Sequence, residues 1–140
     1  MSRRTGVGTM GQAQPKRTVL IVEDDAELRS LTAALLEDEH LDTIECESAE
    51  AALAVMLMRQ HDISMIFADV RLPGVMDGVD LAWEVKQRWP ALPVVLTSGF
   101  PCERARELPP GVAYMRKPWQ PLNVLVLAEQ ALAYAQGRRQ

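Results

Sequence analysis

The chain has 140 residues, 48% hydrophobic and 24% charged, enough for one soluble domain with a sizeable core and too few for a second catalytic or DNA-binding domain. The formal net charge of −4 hides a split: Arg3, Arg4, Lys16, Arg17, Arg138 and Arg139 lie at termini that hold no acid, so residues 18–137 carry only nine of the 15 basic residues against all 19 acidic ones. A body that acidic argues against a nucleic-acid surface, which needs clustered Lys and Arg.

Residues 1–17 read as a flexible tail, because TGVGTMGQAQP has no apolar run long enough for a signal peptide or a membrane span. Cys46 and Cys102 form no CxxC, which suggests neither a disulfide framework nor a zinc site and fits a reducing, cytoplasmic setting. TVLIV (18–22) is a continuous apolar run rich in β-branched residues, a buried strand that ends at Glu23, Asp24 and Asp25. Leu28, Leu31, Leu35 and Leu36 then recur at helical spacing, with acids at the start of the helix where its dipole favours them. LDTIEC (41–46) alternates like a strand near a sheet edge, and Ser48 caps a second helix on which Ala52, Leu53, Met56 and Leu57 share a face. ISMIFA (63–68) is the next apolar strand and ends at Asp69; a loop with Pro73, Gly74 and Gly78 leads to a helix from about Asp80 to Trp89, closed by Pro90. PVVLT (93–97) and VAYM (112–115) are the fourth and fifth strands. Between them Pro101, Pro109 and Pro110 make the fourth helix short or irregular. A last helix runs from about Pro121 to Ala135, and 137–140 form a basic tail.

Strands apolar on both faces and separated by helices make an α/β fold, (βα)5, with a single five-stranded parallel sheet and helices on both sides. The ligand site of such a sheet lies outside the carboxyl ends of its strands. Those ends carry Glu23 and Asp24, Asp69, Thr97 and Ser98, and Arg116 and Lys117, so the polar chemistry is concentrated on one edge. Three converging carboxylates repel one another unless a cation sits among them, and all-oxygen donors point to Mg2+. Glu23, Asp24 and Asp69 are the candidate ligands, with the backbone carbonyl of Arg71 as a further oxygen. One carboxylate can then act as a nucleophile on phosphorus and form an aspartyl phosphate, while a hydroxyl and a lysine, for which Thr97 and Lys117 are the right types, bind the transferring oxygens.

VLIVEDD, IFADVRLPG, VVLTSG and YMRKPW, in that order, resemble the receiver domain of two-component response regulators, and the match spans 18 to about 135. The resemblance implies a flavodoxin-like strand order 2-1-3-4-5 and a domain over 18–136. It implies Glu23 and Asp24 as the metal pair, Asp69 as phosphoacceptor, Thr97 as the switch hydroxyl, Lys117 as the phosphate-binding lysine and Tyr114 as the aromatic coupled to the switch. Asp25 is assigned to the start of the first helix, and a shifted pair, Asp24 with Asp25, is the alternative. Arg71 and Gly99 occupy the positions that tune phosphoryl lifetime in the family.

The chain departs from the family pattern in three places. The shortened segment between Thr97 and Lys117 puts dimerisation through the fourth helix in doubt, LPGVMDG is one residue longer than the commonest loop, and Trp119 stands where Phe often follows Lys-Pro. His40 and His61 read as exposed turn residues, and Met56, Met58 and Met65 as core filling. Trp83 and Trp89 fall on different helix faces, so at least one is exposed. The implied function is that of a stand-alone receiver, not a multiple-turnover enzyme. It would take a phosphoryl group from a sensor histidine kinase or histidine phosphotransfer protein, with its first helix near Leu28 meeting a kinase helix pair, and would act by binding a downstream protein, not nucleic acid or membrane. The alternatives are a Mg2+-dependent phosphatase with an aspartyl-phosphate intermediate, resembling the haloacid dehalogenase family, and a receiver-like interaction module that is never phosphorylated.

Overall fold

Strands β1 (Thr18–Val22), β3 (Ile63–Asp69) and β4 (Val94–Ser98) are buried along their whole length, which is why their sequences show no alternation. The structure is a computed structural model that describes residues 18–99 and 103–138. With β2 (Asp42–Cys46) and β5 (Val112–Arg116) these strands form one parallel sheet in the order β2-β1-β3-β4-β5. β2, on the edge, is exposed at Asp42 and Glu45 and buried only at Cys46, as its mixed composition requires.

Helices α1 (Ala26–Glu37), α2 (Ala49–Arg59), α3 (Gly78–Arg88) and α4 (Pro121–Arg138) divide between the two faces. Successive side chains of β1 supply two cores. Leu20 and Val22 pack with Met56, Ile66, Leu81 and Leu96 on the α2 and α3 side, whereas Val19 and Ile21 pack with Leu36, Phe67, Val95 and Val124 on the α1 and α4 side. Burying each large aliphatic side chain fully contributes roughly 1.5–3 kcal/mol.

Several sequence expectations are corrected. Leu31 is 56% exposed, and α1 instead turns Thr32, Ala33 and Leu36 inward. On α2 the inward stripe is Ala49, Ala52 and Met56, so Leu57, rotated about 100° from Met56, is exposed. Met58 is exposed as well, whereas Met56 and Met65 fill the core. α3 begins two residues before Asp80 because Asp77 caps it: Asp77 Oδ1 accepts from Asp80 N at 2.9 Å while Asp80 Oδ2 accepts from Asp77 N at 3.0 Å. It ends at Arg88, since Trp89 precedes a proline and is driven out of helical conformation. α4 continues through Arg138, so residues 137 and 138 are helical, not tail. The expected tail 1–17, residues 139–140, Pro101 and Cys102 lie outside the described residues.

The fourth crossover holds a five-residue 3-10 turn, Glu103–Glu107, followed by Pro109 and Pro110. Arg104 ties it to α3, with Nη1 at 2.7 Å from Asp77 Oδ2 and 3.2 Å from Asp80 Oδ1, and Trp83 Nε1 donates to the Glu107 carbonyl at 2.6 Å. Trp83 is 41% exposed, and the half-buried Trp89 donates to Gln60 Oε1. His40 and His61 are exposed. Among the described residues no helix is long and apolar enough to cross a membrane.

Asp77 both caps α3 and holds Arg104. Asp77→Ala is expected to lower stability by about 1–2 kcal/mol, read as a lower urea midpoint at unchanged m-value.

Candidate functional site

β1, β3, β4 and β5 all deliver polar residues to one edge of the sheet, and the parallel register pairs Asp69 with Thr97 across neighbouring strands. Glu23 and Asp69 are nearly buried, Asp24 is exposed, and one carboxylate oxygen from each of the three lies within 4.8 Å of the others. Asp25 is not in this group. Its Oδ1 accepts from Glu27 N at 3.0 Å and Leu28 N at 3.1 Å, so it caps α1, and the structure groups Glu23 rather than Asp25 with Asp24.

Lys117 Nζ, reaching in from the end of β5, donates to Asp69 Oδ2 at 2.6 Å and to Glu23 Oε1 at 3.3 Å. Burial alone would lower the lysine; the hydrogen bond and charge of Asp69, with Glu23 behind them, outweigh it and hold the ammonium above its ordinary value. Burial drives Glu23 the other way, up to about 7, with Asp69 adding repulsion and the Asp25 N–H and Lys117 opposing. Asp69 also accepts from the Arg71 backbone N–H at 3.0 Å. Thr97 Oγ1 is buried and, among the described residues, has no hydrogen-bond partner.

Tyr114 is half-buried and packs against the core on the α2 and α3 side, beside Leu96 in the register. Gly99 is exposed; a side chain there would meet Lys117 Cδ only at ordinary contact distance, 3.8 Å. The Lys117–Pro118 peptide is cis, and Trp119 packs edge-on against Phe67 with ring centroids 5.6 Å apart.

Three residues that position the site carry no motif signal. Arg29 of α1 donates from Nη1 to the Glu23 carbonyl at 2.7 Å and from Nε to Glu45 at 3.3 Å, pinning the acidic turn to β2. Gly78, read from the sequence only as a loop glycine, lets α3 close on β3: a Cβ there would stand 2.3 Å from the Asp69 carbonyl oxygen. Arg104 is the third, through its ties to the α3 cap.

The donor set fits a hard divalent cation. Three carboxylates face one ammonium, the donors are all oxygen, and an unpartnered hydroxyl lies on the neighbouring strand. A parallel sheet of this order, with an acid cluster and a lysine on its carboxyl edge, defines a doubly wound α/β domain whose ligand site lies at that edge. Residues 19–125 match the response regulator receiver domain model, and the chain belongs to that family. It is 38% identical over 124 residues to the response regulator protein FleR of Pseudomonas aeruginosa, covering 85% of this chain and 25% of FleR. It is 32% identical over 133 residues to the transcriptional regulatory protein PdtaR of Mycobacterium tuberculosis, covering 92% of this chain and 63% of PdtaR. The chain thus spans a quarter of the first relative and under two thirds of the second. The crystal structure of the receiver domain of NtrX from Brucella abortus superposes with a TM-score of 0.71 at 31% identity, covering 82% of this chain and 98% of that one. Receiver domains serve phosphorylation-dependent signalling in two-component systems and bind Mg2+ at an acidic cluster. The family is a signalling domain rather than a classical enzyme, which leaves the phosphatase alternative without support.

The raised Glu23 carboxyl makes the metal-free protein pH-sensitive. Between about 4.5 and about 7 the folded chain holds a proton that the unfolded chain has lost, so stability falls as pH rises through that window. Glu23→Gln is expected to flatten this slope in urea titrations at several pH values with chelator present.

Proposed function

We propose that Asp69 accepts a phosphoryl group from the phosphohistidine of a sensor histidine kinase or histidine phosphotransfer protein. The observation that carries this reading is Lys117 Nζ held 2.6 Å from Asp69 Oδ2 while the Thr97 hydroxyl one strand away is buried with no partner among the described residues. One side chain is charged to meet phosphoryl oxygens and the other has an unused donor.

Asp69 attacks phosphorus through a carboxylate oxygen. The new O–P bond forms as the P–N bond to histidine breaks, and the electron pair leaves on the imidazole nitrogen, which takes up a proton. Glu23, Asp24, Asp69 and the backbone carbonyl of Arg71 are the proposed holders of Mg2+, which when bound offsets the charge gathered on the phosphoryl oxygens. Lys117 keeps its ammonium charged and holds one oxygen of the acceptor in place. Arg71 N–H fixes the other oxygen, so the carboxylate is oriented before the donor arrives.

After transfer Thr97 turns its hydroxyl to a phosphoryl oxygen and Tyr114 shifts into the space vacated. The surface carried by β4, the 3-10 turn and β5 is then re-biased for a downstream protein. Arg71 and Gly99 set how readily water reaches the phosphoryl group. A phosphodonor of this kind places the reaction in the cytoplasm.

Phosphotransfer profiling against the histidine kinases of the same cell, with acetyl phosphate as the small-molecule donor, tests the reading. Asp69→Ala is expected to remove all label, EDTA to suppress it, and Lys117→Ala to slow labelling by about 100-fold, the scale for losing one electrostatic stabiliser. Label that survives Asp69→Ala overturns the assignment. Arg71→Ala is expected to change the decay rate of the labelled protein, followed by loss of radiolabel over time.

A further inference from the structure

The β3–α3 loop, residues 70–77, follows Asp69 directly, and the phosphotransfer chemistry leaves its tip unused. Its path is unusually constrained for a surface loop. At its far end Gly78 N donates to the Val70 carbonyl at 2.8 Å, closing the loop on itself. At its tip a carboxylate from a different element takes hold: Glu50 Oε2, in the first turn of α2, accepts from Val75 N at 3.0 Å and from Met76 N at 3.0 Å. These donations, Met76 foremost, hold the Glu50 carboxyl below its ordinary range. Gly74, at φ 95, turns the chain in a conformation that favours glycine, with the Glu50 carboxylate close by: a Cβ there would stand 2.8 Å from Glu50 Oε1. The clamped tip holds Val75 94% exposed, the most exposed of the large hydrophobic side chains among the described residues.

A single exposed valine is ordinary on a protein surface and asks for no explanation. This one is held out by two backbone hydrogen bonds to a side chain 25 residues away in sequence. Gly78 packs on the Asp69 carbonyl, and Val75 is three residues from Gly78, at most about 11 Å by chain length. A standard protein interface covers about 800 Å² of each partner, a disc roughly 16 Å in radius. A partner footprint of that size centred on Asp69 extends as far as this tip.

We propose that the Glu50-clamped tip is a preformed docking knob for the phosphodonor protein, in which Val75 enters an apolar recess beside the donor histidine and Glu50 is the positioning residue. Clamping the tip before encounter removes the cost of ordering a loop on binding, so Val75 contributes to recognition without an offsetting loss of loop entropy. A small donor has no recess to fill and is indifferent to the knob. The proposal rests on Asp69 being the phosphoacceptor.

The experiment compares two donors on the full chain: acetyl phosphate, and the phosphorylated histidine kinase that labels the wild type fastest in the profile. Val75→Asp is expected to reduce kcat/KM for transfer from the kinase at least tenfold, through KM, while labelling by acetyl phosphate stays within twofold of wild type. Glu50→Ala is expected to reduce kinase transfer about fivefold. Glu50→Gln, whose amide oxygen can still accept from both N–H groups, restores it to within twofold. Kinase transfer unchanged in Val75→Asp, or lost equally with both donors, overturns the proposal, as does an equal loss in Glu50→Gln and Glu50→Ala. Absence of Asp69-dependent label from acetyl phosphate on the wild-type chain overturns the phosphoacceptor reading itself, and with it the knob.

Discussion

Lys117 stands between two carboxylates that would otherwise repel each other across the end of the sheet, 2.6 Å from one and 3.3 Å from the other. Much else in the chain arranges or tolerates that contact. The ammonium reaches it only because β5 pairs in parallel with β4, and β4 with β3, which brings the end of the last strand to the edge where β1 and β3 end. One lysine cannot balance Glu23, Asp24 and Asp69, and burial, with repulsion from Asp69 added to it, pushes the Glu23 carboxyl up to about 7. The site is therefore electrostatically incomplete by construction, and a cation or a new bonding arrangement at Asp69 changes its balance sharply.

The surrounding structure holds these groups still. Arg29 grips the Glu23 carbonyl, Arg71 N–H grips Asp69, and Gly78 brings the start of α3 against the backbone of Asp69. Backbone groups do most of this positioning, which leaves the side chains of Asp24 and Thr97 for ligands. The arrangement resembles other preorganised sites in which dipoles are fixed before charge moves.

What the sequence discloses depends on whether a feature is local. β1, β3 and β4 are legible because burial on both faces demands an unbroken apolar run, and the Ser48 cap is legible because a cap bonds two or three residues onward. The site residues are legible because strand ends on a parallel sheet share an edge. Leu31, Leu57 and Met58 mislead, since apolar residues at near-helical spacing do not say which of them lies on the axis of the buried face. Arg29, Glu50 and Arg104 are invisible for a different reason: each acts through a partner between 16 and 27 residues away, and no local pattern distinguishes them from solvated surface charges.

The fourth crossover is the thinnest part of the domain. A five-residue 3-10 turn stands where the other crossovers have helices of 11 or 12 residues, and its polar ties to α3 among the described residues are a guanidinium between two half-exposed aspartates and an indole on a carbonyl. Such ties are weak and screened by salt, unlike the apolar contacts beneath α2 and α3. Opening this segment parts Leu108 from the α2 and α3 side but leaves the buried strands covered, so a change at the sheet edge has to overcome a local free energy there, not the stability of the whole fold.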